Sequence, residues 1–178
     1  MLVQNEQDYM EMISKKSACL FKASTECGAI AAKGSCNQVE SLGAFGENFG
    51  LAYQIKDDFQ DIFPFDDILP QDINEFRFTL PLIHFFKHSD QVMKENMLRK
   101  IGLLKTMGSQ QKELFQKHFL TSLRDSGSWL YCEERINSFS EKAIVSLDSL
   151  PDSIFKTYLI EMGRDLTIGS KYKESSAF

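Results

Sequence analysis

Apolar residues recur along this chain at three- and four-residue intervals, and few segments alternate with period two. That pattern predicts helices almost throughout, and with only four prolines and ten glycines to interrupt it the expected fold class is all-α. A first helix is expected over about residues 7–32, with Ile13, Ala18, Leu20, Phe21, Ala29 and Ile30 among its apolar contributors and Lys16 and Ser17 on another face. Gly34 and Ser35 end it. A second, over about residues 37–62, carries Leu42, Phe45, Phe49 and Tyr53, and its glycines at 43, 46 and 50 point to a close approach by another helix. Residues 63–78 hold two prolines and several acids, the one long irregular connection, of the kind that serves as a lid or binding loop. The helical pattern resumes at Pro81. Ser89 and Asp90 offer an N-cap for a helix to about residue 107, and Ser109 offers one for a helix to about residue 123. Gly127 marks the next break, a helix over about residues 129–150 follows, and Pro151 and Asp152 open a last one to about residue 167. Trp129, Phe115 and Phe119 read as core packing, and residues 171–178 read as a flexible tail.

Composition narrows the class. With 178 residues, 43% hydrophobic and 12% aromatic, the chain suits one globular unit or one piece of a larger one. A net charge of −5 without any basic stripe argues against a nucleic-acid surface. Cys19, Cys27, Cys36 and Cys132 have neither C-x-x-C spacing nor matched histidines, so reduced cytoplasmic thiols are expected rather than zinc or a disulfide framework. The N-terminus lacks a signal-peptide layout, and the apolar runs fall far short of the ~20 residues that span a bilayer. At most a peripheral membrane role is expected.

The candidate chemistry lies in LAYQIKDDFQDI, residues 51–62, which sets Asp57, Asp58 and Asp61 in an otherwise apolar helical pattern. At about 100° per residue, Asp57 and Asp61 lie one turn apart, Asp58 flanks them, and Gln54 sits one turn earlier on the same stripe. Carboxylates so close repel one another, an arrangement that a hard cation relieves; Mg²⁺ with a phosphate-bearing ligand is the natural candidate. A solvated helix end is the plain alternative. Lys15 points away from Lys16 and reads as solvated, and His84, His88 and His118 have no ligand spacing to the carboxylates and read as surface or half-buried.

GLAYQIKDDFQDI followed by DINEFRFTLPLI closely resembles the second aspartate-rich motif and the threonine-leucine-proline segment of the trans-isoprenyl (polyprenyl) diphosphate synthase family. Upstream, ISKKSACLFKASTECGAI resembles the family's lysine-threonine-alanine helix; downstream, EKAIVSLDSLPDSIFKTYLIEMGRDL resembles its last two helices. The resemblance implies an isoprenoid-synthase-type bundle, here partial with about six helices, in which residues 1–170 are the C-terminal half of a polyprenyl synthetase domain. It implies a prenyltransferase that condenses an allylic diphosphate with isopentenyl diphosphate, of which an octaprenyl-type product is one instance. By the same resemblance Asp57, Asp58 and Asp61 hold Mg²⁺, Lys16 and Arg77 grip the diphosphate, and Gln54 and Lys16 act at the reacting centre.

The departures carry expectations too. Arg77 stands where the family has lysine, Phe76 replaces a glycine, and FPFDDILPQ replaces a glycine-lysine-proline turn, so the diphosphate lid is altered. The first aspartate-rich motif and the groups that bind isopentenyl diphosphate are expected upstream of Met1, and Asp66 and Asp67 do not substitute for them. A half-bundle would expose a large apolar surface, so a complementary helical subunit, as homo- or hetero-oligomer, is expected. Three readings follow: a synthase piece active with its missing half, a non-catalytic partner of a full-length synthase, and a decayed non-functional fragment.

Overall fold

Asn5 opens the first rod in extended conformation, its side chain accepting the Asp8 N–H at 3.0 Å, while Glu6 and Asp8 place negative charge in the first turn. The computed structural model describes residues 5–63 and 78–168. Helix α1 (Glu6–Ile13) passes through a π-helical turn, Ser14–Ala18, into α2 (Cys19–Ala31). In the π turn the Cys19 N–H reaches back to the Ser14 carbonyl, one residue further than in an α-helix. The inserted residue matters for the core, because the buried positions Tyr9, Ile13 and Ala18 step by four and then by five. It was not visible in the hydrophobic pattern.

The rod ends in a Schellman turn: Gly34 N–H bonds to the Ala29 carbonyl at 2.9 Å and Lys33 N–H to that of Ile30 at 2.9 Å. Lys33, not Gly34, takes the left-handed conformation, at φ 57°. Ser35 then caps α3 (Cys36–Ile62) in a capping box with Gln38, whose side chain accepts the Ser35 N–H at 2.9 Å.

Helix α3 is the central element, packed against α2 on one side and α7 on another. Its glycines admit the close approach expected of them. A Cβ on Gly50 would lie 2.6 Å from Ala18 Cα, and one on Gly46 would lie 2.6 Å from the Phe21 carbonyl oxygen. Phe45, Phe49, Ala52, Ile55 and Phe59 enter the core from α3 and Phe63 from its C-cap, and Phe59 and Phe63 meet the Trp129 ring edge-on at 4.7 and 4.9 Å. Leu20 and Ile30, counted above among the apolar contributors, point instead to solvent at 66% and 61% exposure.

After the undescribed segment, Thr79 leads into α4 (Leu80–His88), with Pro81 in its first turn. Asp90 caps α5 (Gln91–Leu103), accepting the Met93 N–H at 2.7 Å. A 3₁₀ turn at Leu104–Thr106 precedes α6 (Ser109–Asp125). Ser109 is the first helical residue rather than the cap: Gly108 takes that place, its N–H bonded to the Gln111 side chain at 3.3 Å. Gly127, left-handed at φ 76°, turns the chain into α7 (Ser128–Ser146). The cap of α8 (Ile154–Leu166) is Ser153, whose hydroxyl accepts the Lys156 N–H at 3.1 Å, while Asp152 pairs with the Lys156 ammonium. Seven rods result among the described residues, all helical, one more than the rough expectation of six because α4 stands alone. No helix among them is long and apolar enough to cross a membrane. Arg77, Asp66, Asp67, the rest of the 64–77 connection and the 171–178 tail lie outside the described residues.

Candidate functional site

The π turn and the middle of α3 meet at Gly50 and Ala18, and this contact sets side chains from the two elements against each other. Ser17 donates its hydroxyl to Gln54 Oε1 at 2.5 Å. That bond fixes which way the buried amide points, and Gln54 Nε2 donates to Asp58 Oδ1 at 3.0 Å and more weakly to Asp57 Oδ2 at 3.4 Å. The other oxygen of Asp58 accepts the Tyr9 hydroxyl at 2.7 Å. A chain of side chains thus runs from the π turn through Gln54 and Asp58 to α1.

Burial is the main influence on Asp58, pushing its carboxyl above the usual range, and the Asp57 charge pushes the same way. The Tyr9 and Gln54 hydrogen bonds and the Lys16 ammonium oppose it, so the Asp58 site is built with donors that favour the anion. Burial also raises the Tyr9 phenol well above its ordinary value, with the Asp58 charge second. Cys132 lies close by in the core, its thiol pushed up by burial and then by Glu6 and Asp58, which leaves it un-ionised and unreactive.

Of the expected site residues, Gln54, Asp57 and Asp58 come together here, and the exposed Lys16 ammonium is near enough for its charge to act on Asp58. Asp57 and Asp61 are exposed, one turn apart on α3, whereas Asp58 is half-buried and turned toward Tyr9. Among the described residues no three His, Cys, Asp or Glu side chains are gathered so as to hold a metal. The donor set nonetheless suits Mg²⁺, which is commonly held by one or two carboxylates with phosphate oxygens and water completing its shell. Two residues of the network, Tyr9 and Ser17, were not picked out from the sequence as site residues. The only signal for Ser17 was its place next to Lys16, and Tyr9 offered none.

The bundle is of the isoprenyl synthase type. It superposes on the crystal structure of polyprenyl synthase from Caulobacter crescentus CB15, complexed with calcium and isoprenyl diphosphate, with TM-score 0.78 and 26% identity over 91% of this chain and 49% of that one. The sequence model of the family described as Polyprenyl synthetase matches residues 2–118, and the chain belongs to that family. It is 31% identical to the all-trans-nonaprenyl-diphosphate synthase (geranyl-diphosphate specific) of Rhodobacter capsulatus, over 89% of this chain and 48% of the relative. With the octaprenyl diphosphate synthase of Escherichia coli it shares 29% identity over 87% of this chain and 47% of the relative. The chain spans about half the length of the curated relatives it matches.

Proposed function

We propose that this chain supplies one Mg²⁺-diphosphate jaw of a trans-prenyl diphosphate synthase, a transferase that joins an allylic diphosphate to isopentenyl diphosphate. The observation that carries the reading is the grouping of Gln54, Asp57 and Asp58 where the π turn meets α3, with the Lys16 charge acting on Asp58, in a chain of the polyprenyl synthetase family. On this reading the chain corresponds to the C-terminal half of such an enzyme. It works in the cytoplasm with a complementary helical unit that brings the facing motif.

Ionisation of an allylic diphosphate separates charge, and the protein's task is to hold the leaving diphosphate and shelter the cation. Mg²⁺ would supply Lewis-acid neutralisation of the leaving group when bound. Asp57 and Asp61 are the exposed carboxylates that would hold it. Asp58 keeps its place inside, anchoring the Gln54 amide while Tyr9 anchors Asp58. Lys16, and Arg77 outside the described residues, add positive charge to the diphosphate oxygens. Ser17 holds the carbonyl end of Gln54, so the amide dipole is fixed before substrate arrives and need not reorganise during the reaction.

The test is an assay with labelled isopentenyl diphosphate, farnesyl diphosphate and Mg²⁺, run on the chain alone and with a complementary family half. Prenyl product from the mixture is expected. Product from the chain alone would refute the need for a partner.

A further inference from the structure

One turn apart on α4, remote in sequence from the aspartates, the rings of His84 and His88 stack at 4.2 Å between centroids and 26° between planes. Tyr131 of α7 stacks on His84 at 4.5 Å and 23°, so His84 has a ring against each face. Its Nδ1 lies 3.1 Å from the Ser128 hydroxyl, and Ser128 is fully buried. The direction of that bond follows from its neighbours. Ser126 donates its single hydroxyl hydrogen to the Leu123 carbonyl at 2.8 Å, so the 2.7 Å contact between Ser126 and Ser128 must use the hydrogen of Ser128. Ser128 is then left only to accept from His84, which must carry its proton on Nδ1. His88 is settled more simply: its Nδ1 faces the His84 backbone carbonyl at 3.3 Å, and a carbonyl only accepts. Both neutral rings therefore hold hydrogen on Nδ1 and keep the lone pair on Nε2.

An outer hydrogen bond from one ring nitrogen, leaving the other basic, is how proteins prepare a histidine to ligate a metal, and His84, held through Nδ1 by Ser128, is the prepared ligand, with His88 as the movable second one. Histidines four apart on a helix lie on one face, within reach of a single ion. We propose that His84 and His88 form a two-histidine site for a borderline transition ion of the Zn²⁺, Ni²⁺ or Cu²⁺ type, bound through Nε2 of both rings. Imidazole suits these ions and not Mg²⁺, so the site is chemically separate from the aspartate jaw. Two such nitrogens at ~2.0–2.1 Å from one ion stand about 3 Å apart. To reach that geometry the exposed His88 ring turns out of its stack, giving up one long hydrogen bond, while His84 stays clamped by Tyr131 and Ser128. Water or an exogenous anion fills the remaining positions.

The experiment titrates NiCl₂ into the untagged chain by calorimetry at neutral pH, with Mg²⁺ in excess to occupy carboxylates. Saturable binding is expected for the natural chain. His88→Ala should weaken it by about tenfold or more, and His118→Ala, on α6, should leave it unchanged. Should His88→Ala unfold, His88→Gln keeps the helix and makes the same comparison. No Ni²⁺ binding by the natural chain, or equal affinity in the His88 variant, would overturn the proposal.

Discussion

Asp58 engages both of its oxygens inside the protein, one with Tyr9 at 2.7 Å and one with Gln54 at 3.0 Å. Tyr9→Phe removes a hydrogen bond to a half-buried carboxylate and leaves that charge short of a donor. It should cost about 1.5–3 kcal/mol in urea unfolding, against a few tenths for an exposed substitution. Tyr131 gives a pH signature. Burial, and then its hydrogen bond to Glu6, raise its phenol from 10.0 to about 12. The unfolded chain releases that proton near the ordinary value and the folded chain holds it longer. Its contribution is therefore fully present below pH 10 and is lost as pH rises through about 12. Ultraviolet absorbance should show a late tyrosinate step at about pH 12 that is lost in Tyr131→Phe, and the same substitution should flatten the alkaline fall in stability. At this scale the nearness of Gln54 to Asp57 and Asp58 was legible from helical spacing, whereas Lys16 was marked by the family resemblance alone. Tyr9 and Ser17 were not legible, since their bonds span 49 and 37 positions in sequence and only packing creates them.

The elements were legible where caps and breakers mark them. Asp90 caps α5 and Gly127 turns left-handed between α6 and α7, as their residue types foretell. The starts of α6 and α8 differ from those expected because neighbouring groups compete for each cap: Gly108 takes the cap ahead of Ser109, and Ser153 caps α8 beyond Pro151 and Asp152, which were expected to open it. The π turn escaped the pattern, since one inserted residue changes a step of four to five without altering composition. Two substitutions test this level. Gly50→Ala drives a methyl against the Ala18 backbone, where no flexible side chain can yield. It should cost about 1–3 kcal/mol of stability by denaturant unfolding, with the π turn pushed off α3. Lys33→Gly relieves a left-handed backbone without a lost contact and should raise stability by roughly 0.5–1 kcal/mol in the same measurement.

For the molecule as a whole, the all-α bundle and the family were readable from helical periodicity and from the DDFQD and TLP segments. Which apolar residues stay outside was not readable, because periodicity does not distinguish a face turned to the core from one left in water. Leu20, Ile30, Tyr53, Phe155 and Tyr158 are all exposed, on α2, α3 and α8. The most direct measurement is prenyl transfer by the assembled pair when this chain carries Asp57→Ala, after the variant is shown to fold and to associate normally. The account predicts a fall of about 100-fold or more, since on the proposed reading Asp57 is an oxygen ligand of the metal that neutralises the leaving group. Undiminished activity would contradict it, and would make this chain a partner that shapes the enzyme without taking part in its chemistry.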